Sequence, residues 1–422
     1  MLTKLRLLIL VLVMGFVTNA FGQGGNSPFS ILGIGELVDK GNVRSVGMGG
    51  VGISSPHPLS GNIINPANLT YNQFTFFDLS LYTEYREVKS TNVSQTDVGG
   101  NIYNISFGFP VNKNWGMAFG LRPVSAVNSK VSAINKIDGS GKFAKYEYFG
   151  DGGINQVYWS NGVSLFKGFS VGLEASLNFG SINKQTRSTI EDNADVTNYQ
   201  INFYDRTTFS EFVFVPGISY SGKIGEKSII RFGAVYQGTK EFGVKKLETM
   251  ERLIPGSDDK VSVDTLRLNT EGNVTLPSDL KLGLTFEKEF NYLVSVDVAF
   301  QRWSDYKDFE GRQGLLDART LRIGGEWVPD YTSISSYLKR MTYRAGFAYK
   351  ELPYLVNDNQ LLDVSARFGL ALPMNRGLSS IDMAFEYGRT QLNNQEFIKE
   401  SYIRFYLGVT INDRWFIRRT FN

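Results

Sequence analysis

Gly47-Met48-Gly49-Gly50-Val51-Gly52 fits the spacing G-x-G-x-x-G. Such glycines can lay a backbone against a pyrophosphate, but that chemistry needs a strand before them and a helix after, its N-terminus facing the phosphates. Pro56 and Pro58 break any such helix. The glycines therefore read as points where the backbone approaches a neighbour closely. His57 is the only histidine. A lone histidine makes no metal cluster, and a Ser–His hydrolase needs it beside a serine and an orienting acid. Ser54, Ser55 and Ser60 are near it in sequence, yet serine is common in loops of this composition. The absence of cysteine removes disulfides, thiolate ligands and cysteine nucleophiles together. This inventory argues against an enzyme and calls for no metal and no cofactor.

A second set of residues carries charge rather than catalysis. Asp297, Arg322, Glu326, Arg344, Asp363, Arg367, Asp382, Glu386 and Arg404 all fall on the polar parity of alternating segments. Charges on neighbouring strands can pair across a wall, and buried charges must be paired to be tolerated. Earlier in the chain the same parity is small: Gly116, Ala118 and Gly120; Ser160, Gly162 and Ser164; Gly172, Ser176 and Gly180. The expectation is an interior that is roomy along one wall and braced by an ionic network along the other.

The elements that must position these residues are strands. In Lys399–Ile411, Ile403, Phe405, Leu407, Val409 and Ile411 share one face, while Tyr402, Arg404, Tyr406 and Thr410 share the other. The pattern recurs over 75–87, 101–110, 114–124, 156–166, 169–182, 211–222, 227–241, 278–288, 291–303, 318–328, 340–351, 360–373, 379–390 and 399–411. Each segment is close to the ~10 residues of a tilted membrane-crossing strand, and the count of fourteen is even, as in single-chain bacterial barrels. Faces such as Val294, Val296, Val298 and Phe300 suit lipid. The expected fold is all-β, a 14-stranded antiparallel transmembrane β-barrel.

Connections after strands 2, 4, 6, 8 and 12 are short, whereas 125–155, 183–210 and 242–277 read as long polar loops, with a short helix over Phe242–Ile254. Short turns face the periplasm and long connections the exterior. Lys4, Arg6, the apolar Leu7–Val17 and the small residues Ala20 and Gly22 make a cleavable export signal. The organisation is then a signal peptide (1–22), an irregular N-terminal segment (23–73), a barrel (74–411) and a tail (412–422) whose Arg414, Trp415, Phe416, Arg418 and Arg419 suit a membrane interface or a docking peptide. Net charge is +3, with 44 basic and 41 acidic residues intermixed, which leaves no footprint for nucleic acid.

The run Arg44–Gly50 followed by Asn65-Pro66-Ala67, and further on Leu276-Pro277 followed by Trp303-Ser304, resembles the FadL/TodX family of outer-membrane channels for hydrophobic compounds. The resemblance implies that residues 23–73 fold into the lumen as a hatch to which Gly47, Gly49, Asn65, Pro66 and Ala67 belong. It implies passive uptake of hydrophobic small molecules, such as long-chain fatty acids, across the outer membrane of a Gram-negative bacterium, with lipid around the barrel. The opening Ser27-Pro28-Phe29-Ser30 is similar to a Bacteroidota branch with PorV-like relatives. That branch implies the alternative, a non-transporting accessory subunit of a larger secretion or assembly complex, with outer-membrane or periplasmic proteins as partners. Polar outer loops and a charged lumen depart from the fatty-acid members.

Overall fold

The computed structural model describes residues 27–414, apart from 91–93, 140–141, 192–199, 255–256, 357–358, 375–376 and 393–394. The export signal and tail residues 415–422 lie outside the described residues. Fourteen antiparallel strands follow in chain order: β1 (Thr75–Ser90), β2 (Ser94–Asn112), β3 (Trp115–Lys136), β4 (Phe143–Phe166), β5 (Phe169–Glu191) and β6 (Gln200–Ile224). Next come β7 (Ser228–Gln237 and Lys240–Leu253), β8 (Lys260–Leu276 and Asp279–Lys288), β9 (Tyr292–Gln301) and β10 (Ala318–Trp327). The last four are β11 (Thr342–Val356), β12 (Asn359–Met374), β13 (Ser379–Leu392) and β14 (Gln395–Asp413). β14 pairs with β1 from Ile398↔Ser90 to Asp413↔Thr75, which closes the barrel.

Each strand forms for the reason its sequence gives. On β9, Leu293, Ser295, Asp297 and Ala299 are buried while Val294 and Phe300 are exposed, a period of two with lipid-type residues outside. The two-part strands β7 and β8 break side by side, Leu276 facing Lys240 and Asp279 facing Gln237. Pro277 falls in that break, where its missing N–H costs no ladder bond. Turns at one end are tight; that between β4 and β5 is Lys167-Gly168, with Gly168 at φ 81. No described helix is long and apolar enough to cross a membrane.

The three connections read as long loops are corrected by the structure. Most of 125–155, 183–210 and 242–277 is strand: β3 to β6 have 22, 24, 23 and 25 residues, against ten in β9 and β10. Phe242–Ile254 is no helix either. Phe242, Val244, Thr249, Glu251 and Leu253 turn inward, and Lys240–Leu253 finds ladders on both sides, in β6 and β8. Since ~10 residues cross the bilayer, the upper parts of β3 to β8 stand as a six-stranded sheet beyond the membrane, at the end opposite the tight turns.

β2 and β3 part company. Their pairing runs only from Ile105↔Leu121 to Asn112↔Trp115. Above it, β3 carries Pro123 and a register shift. The N-terminal segment takes the vacated place: Glu36 and Leu37 pair with Ala126 and Ser125, and the Val38 N–H donates to the Val124 carbonyl at 2.9 Å.

Candidate functional site

Residues 27–73 run inside the barrel. A short helix, α1 (Val43–Gly47), starts at Asn42, whose side chain accepts from the Ser45 N–H while the Ser45 hydroxyl accepts from the Asn42 N–H. Gly49 follows at φ 74, its Cα so placed that a Cβ would lie 2.8 Å from the Phe347 nitrogen. At the wall, a Cβ on Gly324 or Gly346 would collide with the backbone of Met48, and one on Gly162 or Gly172 with that of Pro66 or Ala67. Backbone meets backbone at these glycines, so the internal segment fits by shape. Asn65 locks the other end: its amide donates to the carbonyls of Ile53 (2.8 Å) and Ile218 (2.9 Å), and its oxygen accepts from the Ala67 N–H.

Charge supplies the second hold. Asp39 of the internal segment meets Arg322 (2.8 Å), Lys350 (2.9 Å) and Arg367 (3.2 Å), which come from β10, β11 and β12. Burial works to raise the Asp39 pKa, but these three cations hold its carboxyl well below the usual range. Arg44 forks onto Glu326 (2.8 and 3.1 Å), which Arg344 also contacts on its way to Asp382 (2.5 Å). Glu36 bridges Arg86 (2.8 Å) and Arg404 (2.6 Å). Arg86 reaches Glu84 and Glu400, Arg404 also pairs with Glu84, and Arg367 meets Glu386 at 2.7 Å. On the facing wall Lys40 pairs with Glu174 at 2.5 Å.

Seven of the nine charges singled out on the polar faces thus enter ion pairs. Two do not. Asp297 lies opposite Arg322 in register, yet it accepts from the N–H groups of Gly52 (2.7 Å) and Ile53 (3.0 Å). Asp363 accepts from Tyr402 and Thr390 hydroxyls. Sequence reasoning missed Glu36, Asp39, Lys40 and Arg44, which sit in a segment without periodicity, and Glu84, Arg86 and Glu400, whose alternation was there to be read. The His57 Nδ1 accepts from the Leu59 N–H, and burial, then Arg44, push its pKa down to about 4. Of the tail, Asn412 and Asp413 continue β14 instead of leaving the barrel at 411, and of the basic and aromatic tail residues singled out only Arg414 is described, its guanidinium over the Phe74 ring.

Among the described residues the internal segment packs against both walls. Voids at the ionic wall measure about 40 and 50 Å³, room for a water or two. The wall expected to be roomy is occupied: a Cβ on Gly120 would strike the Tyr158 hydroxyl, and the neighbouring glycines face the internal segment. Above them Val127, Ile154, Val213, Val215, Phe242 and Trp303 belong to one apolar cluster with Ile34 and Ile53 of that segment. A cavity of about 820 Å³ opens at the tight-turn end, beneath Pro56–Ser60.

A closed fourteen-stranded barrel with lipid-facing exterior and a chain segment packed through its lumen defines the class: an outer-membrane-type β-barrel with an internal N-terminal segment. The family described as BamG matches residues 1–422, the whole sequence, and the chain belongs to that family. The fold is similar to that of a Pseudomonas aeruginosa FadL homologue (12% identity, TM-score 0.59, covering 89% of this chain and 99% of that one). It is similar also to the Ralstonia pickettii toluene transporter TbuX (16%, TM-score 0.57, 89% and 99%) and the Pseudomonas putida toluene transporter TodX (17%, TM-score 0.55, 90% and 100%). No curated protein matches the sequence significantly. At these identities the structural likeness speaks for the fold, and nothing in it supports the PorV-like branch.

Proposed function

We propose that the protein is an accessory barrel of the outer membrane of a Gram-negative bacterium, a non-transporting subunit of a larger secretion or assembly complex. The observation that carries this reading is the internal segment held by buried charge on one side and by backbone contact on the other. Opening a passage would strip Arg322, Lys350 and Arg367 of a shared carboxylate, with only Arg367 keeping another in Glu386, and breaking a buried pair from one side costs about 3–5 kcal/mol. A ligand could move the segment only by binding the open state more tightly than the closed one by at least that margin.

One observation favours a second reading, in which residues 23–73 are a movable hatch and hydrophobic small molecules such as long-chain fatty acids pass. The apolar cluster around Val213, Val215 and Phe242 adjoins the place where β2 and β3 separate. Intact-mass measurement of the particle, extracted gently from its native membrane, tests both. A large particle with other proteins is the expected result. A single barrel carrying a lipid-like molecule would reject the accessory role and identify the ligand class.

A further inference from the structure

The sheet that stands beyond the membrane has two edges, and they end differently. On the β3 edge the chain covers the lower part, since Glu36 and Leu37 pair with Ala126 and Ser125 and the Ser27 N–H donates to the Asn128 carbonyl, which leaves only Ser129–Lys136 without a ladder partner on that side among the described residues. The β8 edge is open. Lys260–Leu276 pairs along its length with Lys240–Leu253. On its other side the described residues provide one bridge, Thr275↔Lys307, at the base. The next strand, β9, stops at Gln301 opposite Asp279. Phe309 of the β9–β10 loop packs on Gly272 and Glu310 reaches Arg267, and above them the backbone of Lys260–Leu266 has no ladder partner on that side among the described residues.

A long unpaired edge is a template for another strand, and proteins usually blunt it with charge. Here the cations are already paired: Lys260 with Glu251, and Arg267 with Glu248 of the sheet and with Glu310 of the β9–β10 loop. What the edge offers instead is apolar. Val261, Val263, Leu266 and Leu268 are 49, 47, 58 and 71% exposed, in a region that lipid does not cover. Asp264 lies among them with no ion-pair partner among the described residues. Register shifts between Lys260 and Ser262, and between Thr265 and Thr270, discourage indiscriminate pairing, so a partner must match an irregular edge.

We propose that this open β8 edge receives an extended strand of a different protein at the outer face of the membrane. Main-chain hydrogen bonds would give the affinity. Apolar side chains on alternate residues would cover Leu266 and Leu268, and a lysine or arginine would face Asp264. The proposal rests on the accessory-subunit reading and names the surface that reading requires.

Hydrogen exchange on the gently extracted particle, compared with the same barrel stripped of partners, tests it. The expected result is exchange in 260–266 slowed about tenfold or more in the particle. In L266K/L268K that protection should vanish and the partner be lost, while heat-modifiable migration shows the barrel still folded; D264K should weaken retention less. A particle that retains its partners but exchanges equally fast in 260–266 overturns this proposal alone. A protected edge in a particle of two copies of this chain overturns it in favour of self-association. A barrel extracted alone overturns the accessory reading with it.

Discussion

The wall made by β9 to β14 and β1 and the wall made by β3 to β8 grip the same internal segment by different physics. The first uses point charges: Asp39, Arg44 and Glu36 each reach two or more groups there or are gripped bidentately. The second uses absence of side chains and apolar contact, with Lys40–Glu174 as its one ion pair to the segment among the described residues. Shape contact falls away over about an ångström. Buried charge acts farther and leaves an expensive residue when broken. A segment held by shape alone could slide out and back. One also pinned by a charge cluster is a structural part, and this difference moves the accessory reading ahead of the uptake reading that family resemblance favours.

The largest effect should come from the charged side. D39A leaves three buried cations without their common carboxylate and is expected to cost about 3–5 kcal/mol in retention of the segment. Limited proteolysis of residues 27–73 in an otherwise folded barrel measures it; unchanged protection would show that the ionic wall is ornamental. Second comes the shape-held side. G162V/G172V places two Cβ atoms against the Pro66-Ala67 backbone and should cost about 1–3 kcal/mol by overpacking, read as earlier proteolysis at the Asn65–Tyr71 end. Third is K40M/E174Q, which removes both members of the isolated pair. Replacing a whole buried pair with apolar and neutral groups is often close to neutral, so the melting temperature should move by only a few degrees. A loss as large as that of D39A would erase the distinction between the walls.

How much of this the sequence announces depends on contrast between faces. Inside the lipid band, alternation such as Val294-Ser295-Val296-Asp297 is unmistakable, and strand existence, closure and the polarity of both faces follow. Beyond the band both faces meet water, so Thr186-Arg187-Ser188 shows no alternation although it is strand, and three hairpins read as loops. The grip on the internal segment is hidden for another reason. Arg44 and Glu326 are 282 positions apart, and Asp39 and Arg367 are 328 apart. Nothing local in residues 27–73 says which wall residue each will meet. The glycines at 162, 172, 324 and 346 were visible, but only packing shows that they receive backbone rather than ligand.

The last effect concerns pH and sharpens the comparison from the segment's lower end. His57 lies beneath the segment at the edge of the large cavity, its pKa pushed down to about 4 by burial and by Arg44. In a released segment it would titrate near 6.5. Between those values the released form binds the extra proton, so falling pH favours release: the histidine's contribution is full above about 6.5 and declines until about 4. Asp39 behaves oppositely in position, not in sign. Its depressed carboxyl keeps its stabilising charge until the pH is well below the ordinary carboxylate range. Protease protection of residues 27–73 should therefore weaken by up to about 3 kcal/mol from pH 6.5 to 4, and H57Q should flatten that slope while leaving protection at pH 8 unchanged. A sharp loss near pH 6.5 that survives H57Q would mean that another group governs retention, and the charge cluster would no longer explain why the segment stays.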